Sequence, residues 1–127
     1  MNKDLKIAKK IVQTEIEGLK KLLKSFNNSS QFSKAVNLIS KAKGKVVVIG
    51  TGKSFIIGNK ISSTLSSLGT PSVAFDSSSL NHGSMGSIQK GFDVLLIFSV
   101  SGETAELNSI LRFSNRNNIP VVGVSCK

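Results

Sequence analysis

Gly44-Lys45-Val46-Val47-Val48-Ile49-Gly50-Thr51-Gly52-Lys53-Ser54 is the stretch on which the fold turns. Residues 45–49 form a short β-branched run with glycine on either side, which reads as a strand buried on both faces. A tight glycine loop follows. Apolar residues then recur at Ile57, Ile61, Leu65 and Leu68, the spacing of a helix over residues 54–68. Gly69 ends that helix and Pro71 opens the exit. A buried strand, a glycine loop and a helix in succession are the first half of a parallel crossover unit.

The same alternation continues downstream. Residues 72–75 predict a second strand and residues 76–86 a polar loop. Asp93 to Phe98 predicts a third strand, apolar on both faces. Ser99-Val100-Ser101-Gly102-Glu103-Thr104 leads into a helix reaching about Asn115, and residues 119–124 predict a fourth strand. Upstream, Leu5, Ala8, Ile11, Val12, Leu19, Leu22, Leu23 and Phe26 recur at helical steps. Asn27-Asn28-Ser29-Ser30 then offers caps for a second helix carrying Phe32, Ala35, Val36, Ile39 and Ala42. The expectation is an α/β protein: a three-layer parallel sheet flanked by helices, behind two leading helices over about 3–42. The sequence ends just after the fourth strand, so one sheet face is expected to need further cover, and the domain is read as incomplete at its C-terminus.

Composition excludes several classes. One Cys rules out an intramolecular disulfide framework, and one Cys with one His is too few for a structural zinc site. No apolar run approaches the ~18 residues of a membrane span, and the N-terminus has no secretory pattern. A cytoplasmic protein is the expectation. The formal net charge is +10 over 127 residues. Residues 1–45 carry 11 Lys against 3 acids, so the excess sits in the leading helices. With no Tyr, no Trp and only 2 Arg, it reads as a solvated lysine face rather than a nucleic-acid surface.

Two loops carry the candidate chemistry, at the carboxyl ends of predicted strands, where open parallel sheets bind ligands. Gly50-Thr51-Gly52-Lys53-Ser54 is not a Walker loop, because Val47 stands where that pattern needs glycine. It lacks the third glycine of the dinucleotide fingerprint at Phe55, although Asp76 closes the second strand at a plausible distance for that reading. The remaining readings are a phosphate cradle, with Gly52, Ser54 and the charge of Lys53 at a helix start, and a plain turn joining strand to helix. Ser99, Ser101 and Thr104 place three hydroxyls around Gly102. Helix capping by Ser101 accounts for one serine, and a phosphate accounts for the density. The lone histidine, His82, lies in a polar, glycine-rich stretch. Lys53, His82 and Glu103 are all expected at one end of the sheet, and that set suits proton transfer next to a carbonyl.

These segments, with Gly69-Thr70-Pro71-Ser72, His82-Gly83 and Ile119-Pro120-Val121, resemble the sugar isomerase (SIS) domain, most closely its arabinose-5-phosphate isomerase branch. The resemblance covers nearly all of the chain. The Ser-Gly-Glu-Thr loop marks the broad domain, and Gly-Lys-Ser with His-Gly narrows it. It implies a SIS-like, Rossmann/flavodoxin-like fold and aldose–ketose isomerisation of a phosphosugar. The implied reaction takes D-ribulose 5-phosphate to D-arabinose 5-phosphate through an enediol, without organic cofactor or metal. The product feeds the acidic sugar of lipopolysaccharide or capsule. Gly52, Ser54, Ser99, Ser101 and Thr104 would hold the phosphate. Lys53 would stabilise oxygen charge, Glu103 would move the proton and His82 would assist at the hydroxyls or in ring opening. A homo-oligomer, dimer or tetramer, is implied.

Departures from the branch are Phe55-Ile56 where Gly-His is usual, and Leu80-Asn81 and Ser84 around His-Gly. The family domain runs on past a fifth strand with a further histidine, and many members append paired CBS domains, so these 127 residues are expected to be the N-terminal portion of the domain. Two alternatives accompany the isomerase reading. One is a non-catalytic sugar-phosphate sensor module. The other is an isomerase for another phosphosugar.

Overall fold

Val46, Val47, Val48 and Ile49 are completely buried, each at 0% exposure, at the centre of a four-stranded parallel sheet. The computed structural model describes residues 2–126. Its elements are α1 (Lys3–Ser25), α2 (Ser30–Ser40), β1 (Val46–Gly50), α3 (Lys53–Ser67), β2 (Ser72–Asp76), α4 (Ser77–Asn81), β3 (Val94–Phe98), α5 (Asn108–Arg116) and β4 (Val121–Val124). The strand order is β2-β1-β3-β4. β1 pairs with β2 through Val46↔Ser72 and with β3 through Val46↔Val94, both parallel, and β3 pairs with β4 through Leu95↔Val121.

Alternation along the strands builds two cores. Val47, Ile49, Leu95 and Ile97 face Leu80, Leu107 and Ile110 on one side. Val46, Val48, Val94 and Leu96 face Ala35, Ile39, Ile61 and Leu65 on the other. Successive side chains point to opposite faces of a strand, so a continuous apolar run supplies both cores at once. Helices lie on both faces, and the three-layer α/β expectation holds, while β4 is less covered, with Gly123 and Val124 exposed.

The chain forms two compact units, Met1–Lys34 and Ala35–Lys127. In the first, no residue of α1 is buried, and Phe26 meets Phe32 at 5.1 Å between ring centres. In the second lie the sheet and its cover.

Two expectations are corrected. The stretch 76–86 is not simply a loop. Asp76 caps α4 by accepting the Ser78 N–H at 3.0 Å, and Leu80, only 2% exposed, anchors the helix in the core. A 3-10 turn follows at Ser84–Ser87. The second correction is after β3, where no helix starts at Ser101. The Ser99 hydroxyl accepts the Gly102 N–H at 3.1 Å, and the Ser101 hydroxyl accepts the Glu103 N–H at 3.1 Å. Gly102 has φ +70°. Side chains that capture backbone N–H groups this way compete with helix formation. A 3-10 turn at Ala105–Leu107 precedes α5.

At the amino ends of β1 and β3, Asp93 is 2% exposed and accepts three bonds. They come from Lys45 N–H at 2.9 Å, Lys45 Nζ at 2.7 Å and Gln89 N–H at 2.7 Å. Burial by itself would raise the Asp93 carboxyl pKa. The Gln89 N–H, the two Lys45 bonds and the Lys45 charge outweigh it, and the pKa lies below the usual carboxylate value.

Candidate functional site

The strand order fixes where a ligand belongs. From β1 the chain crosses to β2 on one side, and from β3 it crosses to β4 on the other. The crevice between the carboxyl ends of β1 and β3 is therefore the topological switch point of the sheet. The loops Thr51–Gly52 and Ser99–Thr104 leave the sheet on its two banks.

The first bank depends on close approach. A Cβ on Gly50 would lie 2.6 Å from the Ser54 carbonyl carbon and 2.7 Å from the Phe55 nitrogen, so only glycine lets the start of α3 sit on the end of β1. Gly52, at φ +57°, makes the turn that a side chain would strain. Thr51 and Ser77 share a hydroxyl hydrogen bond of 2.7 Å, which ties this loop to the start of α4. Asp76 accepts from the Ser78 hydroxyl at 2.6 Å. That bond first, then the Ser78 N–H and more weakly the Gly52 N–H, holds the Asp76 carboxyl below its ordinary pKa against the opposing effect of burial.

On the second bank, Ser99 is only 8% exposed and shares a 2.8 Å hydrogen bond with the Thr104 hydroxyl. A cavity of about 170 Å³ opens between the banks. Ser54 and Ser99 line it together with Ile57, Phe98, Val100, Val124, Ser125 and Cys126. The structure therefore brings Ser54 and Ser99 to one cavity, with Thr104 bonded to Ser99. Lys53 is exposed beside Ser54 at the first turn of α3. Ser101 and Glu103 are exposed on the loop after β3. His82, exposed, caps the end of α4 one residue before Gly83, whose φ is +116°. Among the described residues, no group of His, Cys, Asp and Glu is placed to hold a metal ion.

Two parts of this site escape the sequence reading. The Thr51–Ser77 tie joins residues 26 apart and leaves no local signature. Val124, Ser125 and Cys126 form the far wall, and the rule that ligands sit at carboxyl strand ends would have flagged them as the residues that close and follow β4.

With this geometry in place, the known proteins decide the family. The SIS-domain pattern matches residues 38–127. The chain belongs to the SIS-domain family. It is 44% identical over 94 residues to arabinose 5-phosphate isomerase KdsD of Pseudomonas aeruginosa, covering 74% of this chain and 28% of that protein. It is 42% identical over 93 residues to arabinose 5-phosphate isomerase KpsF of Escherichia coli O6:H1 strain CFT073, covering 70% and 28%. An Escherichia coli CFT073 protein solved as a ligand complex superposes with a TM-score of 0.79 at 30% identity, covering 100% of this chain and 67% of that one. The chain thus spans less than a third of the length of these two curated relatives. In this SIS chain the cavity that Ser54 and Ser99 share lies between the start of α3 and the carboxyl ends of β3 and β4, and Ile57, Phe98, Val100 and Val124 make most of its wall.

Proposed function

We propose that this chain carries the phosphate cradle and proton-transfer residues of an aldose–ketose isomerase, with D-ribulose 5-phosphate and D-arabinose 5-phosphate as its sugars. The observation that carries the reading is the meeting of Ser54 and Ser99 at one cavity in a SIS chain that resembles arabinose 5-phosphate isomerases. At about 170 Å³ the cavity is smaller than the ~300 Å³ where pockets for drug-sized ligands begin. Its serine corner suits a phosphate head, beside an apolar wall of Ile57, Phe98, Val100 and Val124, with the sugar lying over the loops. Ser54 and Ser99 give the head hydroxyls from the cavity wall, Thr104 and Ser101 stand behind them on the adjoining loop, the start of α3 gives a positive dipole end, and Gly52 shapes the turn.

Chemistry then proceeds on the open-chain sugar. Glu103 takes a proton from C1 of the ketose while O2 gains one, giving the enediol, and the same carboxyl returns its proton to C2 while O1 gives one up, leaving the aldose. Lys53 stabilises the negative charge that builds on the carbonyl oxygen. His82 serves the sugar hydroxyls in proton exchange or ring opening. The scheme uses no metal or organic cofactor. The reading places the protein in the cytoplasm, supplying the acidic sugar of lipopolysaccharide or capsule, and it includes assembly with further copies of the chain. Exposed apolar residues along α1, such as Leu19 and Leu23, support assembly.

The test is Glu103→Gln. Turnover of D-ribulose 5-phosphate should fall by ~10²–10⁴-fold, the usual contribution of a general acid–base group. Calorimetric binding of D-arabinose 5-phosphate should stay within a few-fold. Undiminished turnover removes Glu103 from the proton-transfer role.

A further inference from the structure

Only two of the chain's 17 basic residues are arginines, Arg112 and Arg116. Both lie on α5, four residues apart and so on one face of the helix. That face borders a second cavity, of about 400 Å³. Met85, Ser109, Phe113 and Asn117 complete its walls. It shares no lining residue with the cavity of Ser54 and Ser99, and none of its lining residues is acidic.

Arg112 and Arg116 are exposed, and the rest of the wall is held in place around them. Ile110 is 1% exposed and Phe113 packs against the core, which seats that face of α5 on the sheet. The Ser109 hydroxyl donates to the Asn81 side-chain oxygen. The Asn117 amide donates to the Phe113 carbonyl at 2.9 Å. Arg116 lies in the last turn of α5, where any cation benefits from the helix dipole. Arg112 lies a full turn earlier, so the dipole does not account for it. A lysine-rich chain could place two lysines here for solubility alone. Arginine differs in its planar fork, which grips a phosphate or carboxylate through two parallel bonds and stacks on flat groups. Met85 and Phe113 add an apolar floor.

We propose that the Arg112–Arg116 cavity is a second ligand site of this protein, for a phosphate monoester with a flat or apolar body. Two guanidinium groups match the double negative charge of a phosphate monoester better than the single charge of a carboxylate. The volume lies within the ~300–1,000 Å³ range of small-molecule pockets.

The experiment is titration of the isotopically labelled full chain with phenyl phosphate, followed by backbone amide NMR at ~0.15 M ionic strength, where exposed charges alone attract weakly. Amides of residues 109–117 and Met85 should shift together, and benzoate should bind there at least several-fold more weakly. The double variant Arg112→Gln/Arg116→Gln should lose at least ten-fold in affinity at these amides. The charge-preserving Arg112→Lys/Arg116→Lys should fold as the parent does and still bind several-fold more weakly. Shifts confined to the Ser54 and Ser99 loops overturn the proposal. So does equal binding by the lysine variant, which would reduce the site to simple charge attraction, and equal binding of benzoate, which would remove the phosphate assignment.

Discussion

Asp93 shows how one buried charge is made tolerable. A carboxylate with 2% exposure is costly unless its lone pairs are filled, and here two backbone N–H groups and the Lys45 ammonium fill them. Gly44 belongs to the same device, since a Cβ there would lie 2.3 Å from the Asp93 carboxylate oxygen. The folded pKa lies below the unfolded value of ~3.9. The stabilisation is therefore complete above that unfolded value and is lost as pH falls through the folded one. Asp93→Asn keeps the shape but turns an amide toward Lys45. It should cost about 3 kcal/mol in urea unfolding at neutral pH. It should also flatten the acid limb of a stability-against-pH curve. An acid limb unchanged by the substitution would show that other carboxyls set it.

At the scale of elements, the contact between β1 and α3 is the most demanding. Gly50→Ala drives a Cβ into backbone atoms at 2.6–2.8 Å, so the helix start itself must move. Gly58→Ala meets a methyl group of Val48 at 2.9 Å, and a side chain can yield. Gly50→Ala should cost about 3 kcal/mol, the upper end of overpacking. On the proposed isomerase reading it should also weaken D-arabinose 5-phosphate binding by displacing Ser54. Gly58→Ala should cost less, because alanine regains up to ~1 kcal/mol of helix propensity. Thermal unfolding and calorimetry of the two variants separate these effects.

The strands were legible in the sequence because a doubly buried parallel strand has no polar side to confuse it. Val46 to Ile49 and Val94 to Phe98 are runs of that kind. The start of α5 was not legible, because Ser99 and Ser101 use their hydroxyls on their own loop, and a serine-rich helix cap has the same composition. α4 was hidden for a related reason. Ser77, Ser78 and Ser79 read as loop, and only the burial of Leu80 and the Asp76 cap make them a helix. In the site, Ser54 and Ser99 were legible as hydroxyls at carboxyl strand ends. Their meeting at one cavity depends on β1 and β3 being neighbours, a matter of strand order that no local pattern encodes.

For the whole molecule, α1 poses the assembly question. Leu19 and Leu23 are 65% and 69% exposed, one turn apart on a 23-residue helix with no buried residue. A helix patterned in this way normally gains its stability by burying its apolar stripe. Leu19→Lys with Leu23→Lys should lower the mass measured by light scattering while the Ala35–Lys127 unit keeps its unfolding temperature. A mass equal to that of the parent would remove α1 from the assembly surface.

Burial of β1 at the centre of the sheet also has a consequence during synthesis. Lys45 and its partner Asp93 are 48 residues apart, and β3 arrives with Asp93. At translation rates of ~5–20 residues per second, the nascent chain waits about 2–10 s with Val46–Ile49 paired on one side at most. A bare β-branched run of this kind is an invitation to intermolecular cross-β pairing. Lys41, Lys43 and Lys45 stand immediately before it and Lys53 soon after. Charges in those positions act as gatekeepers against such pairing. Four of the chain's lysines thus stand where charge opposes such pairing before the sheet exists to hide the strand.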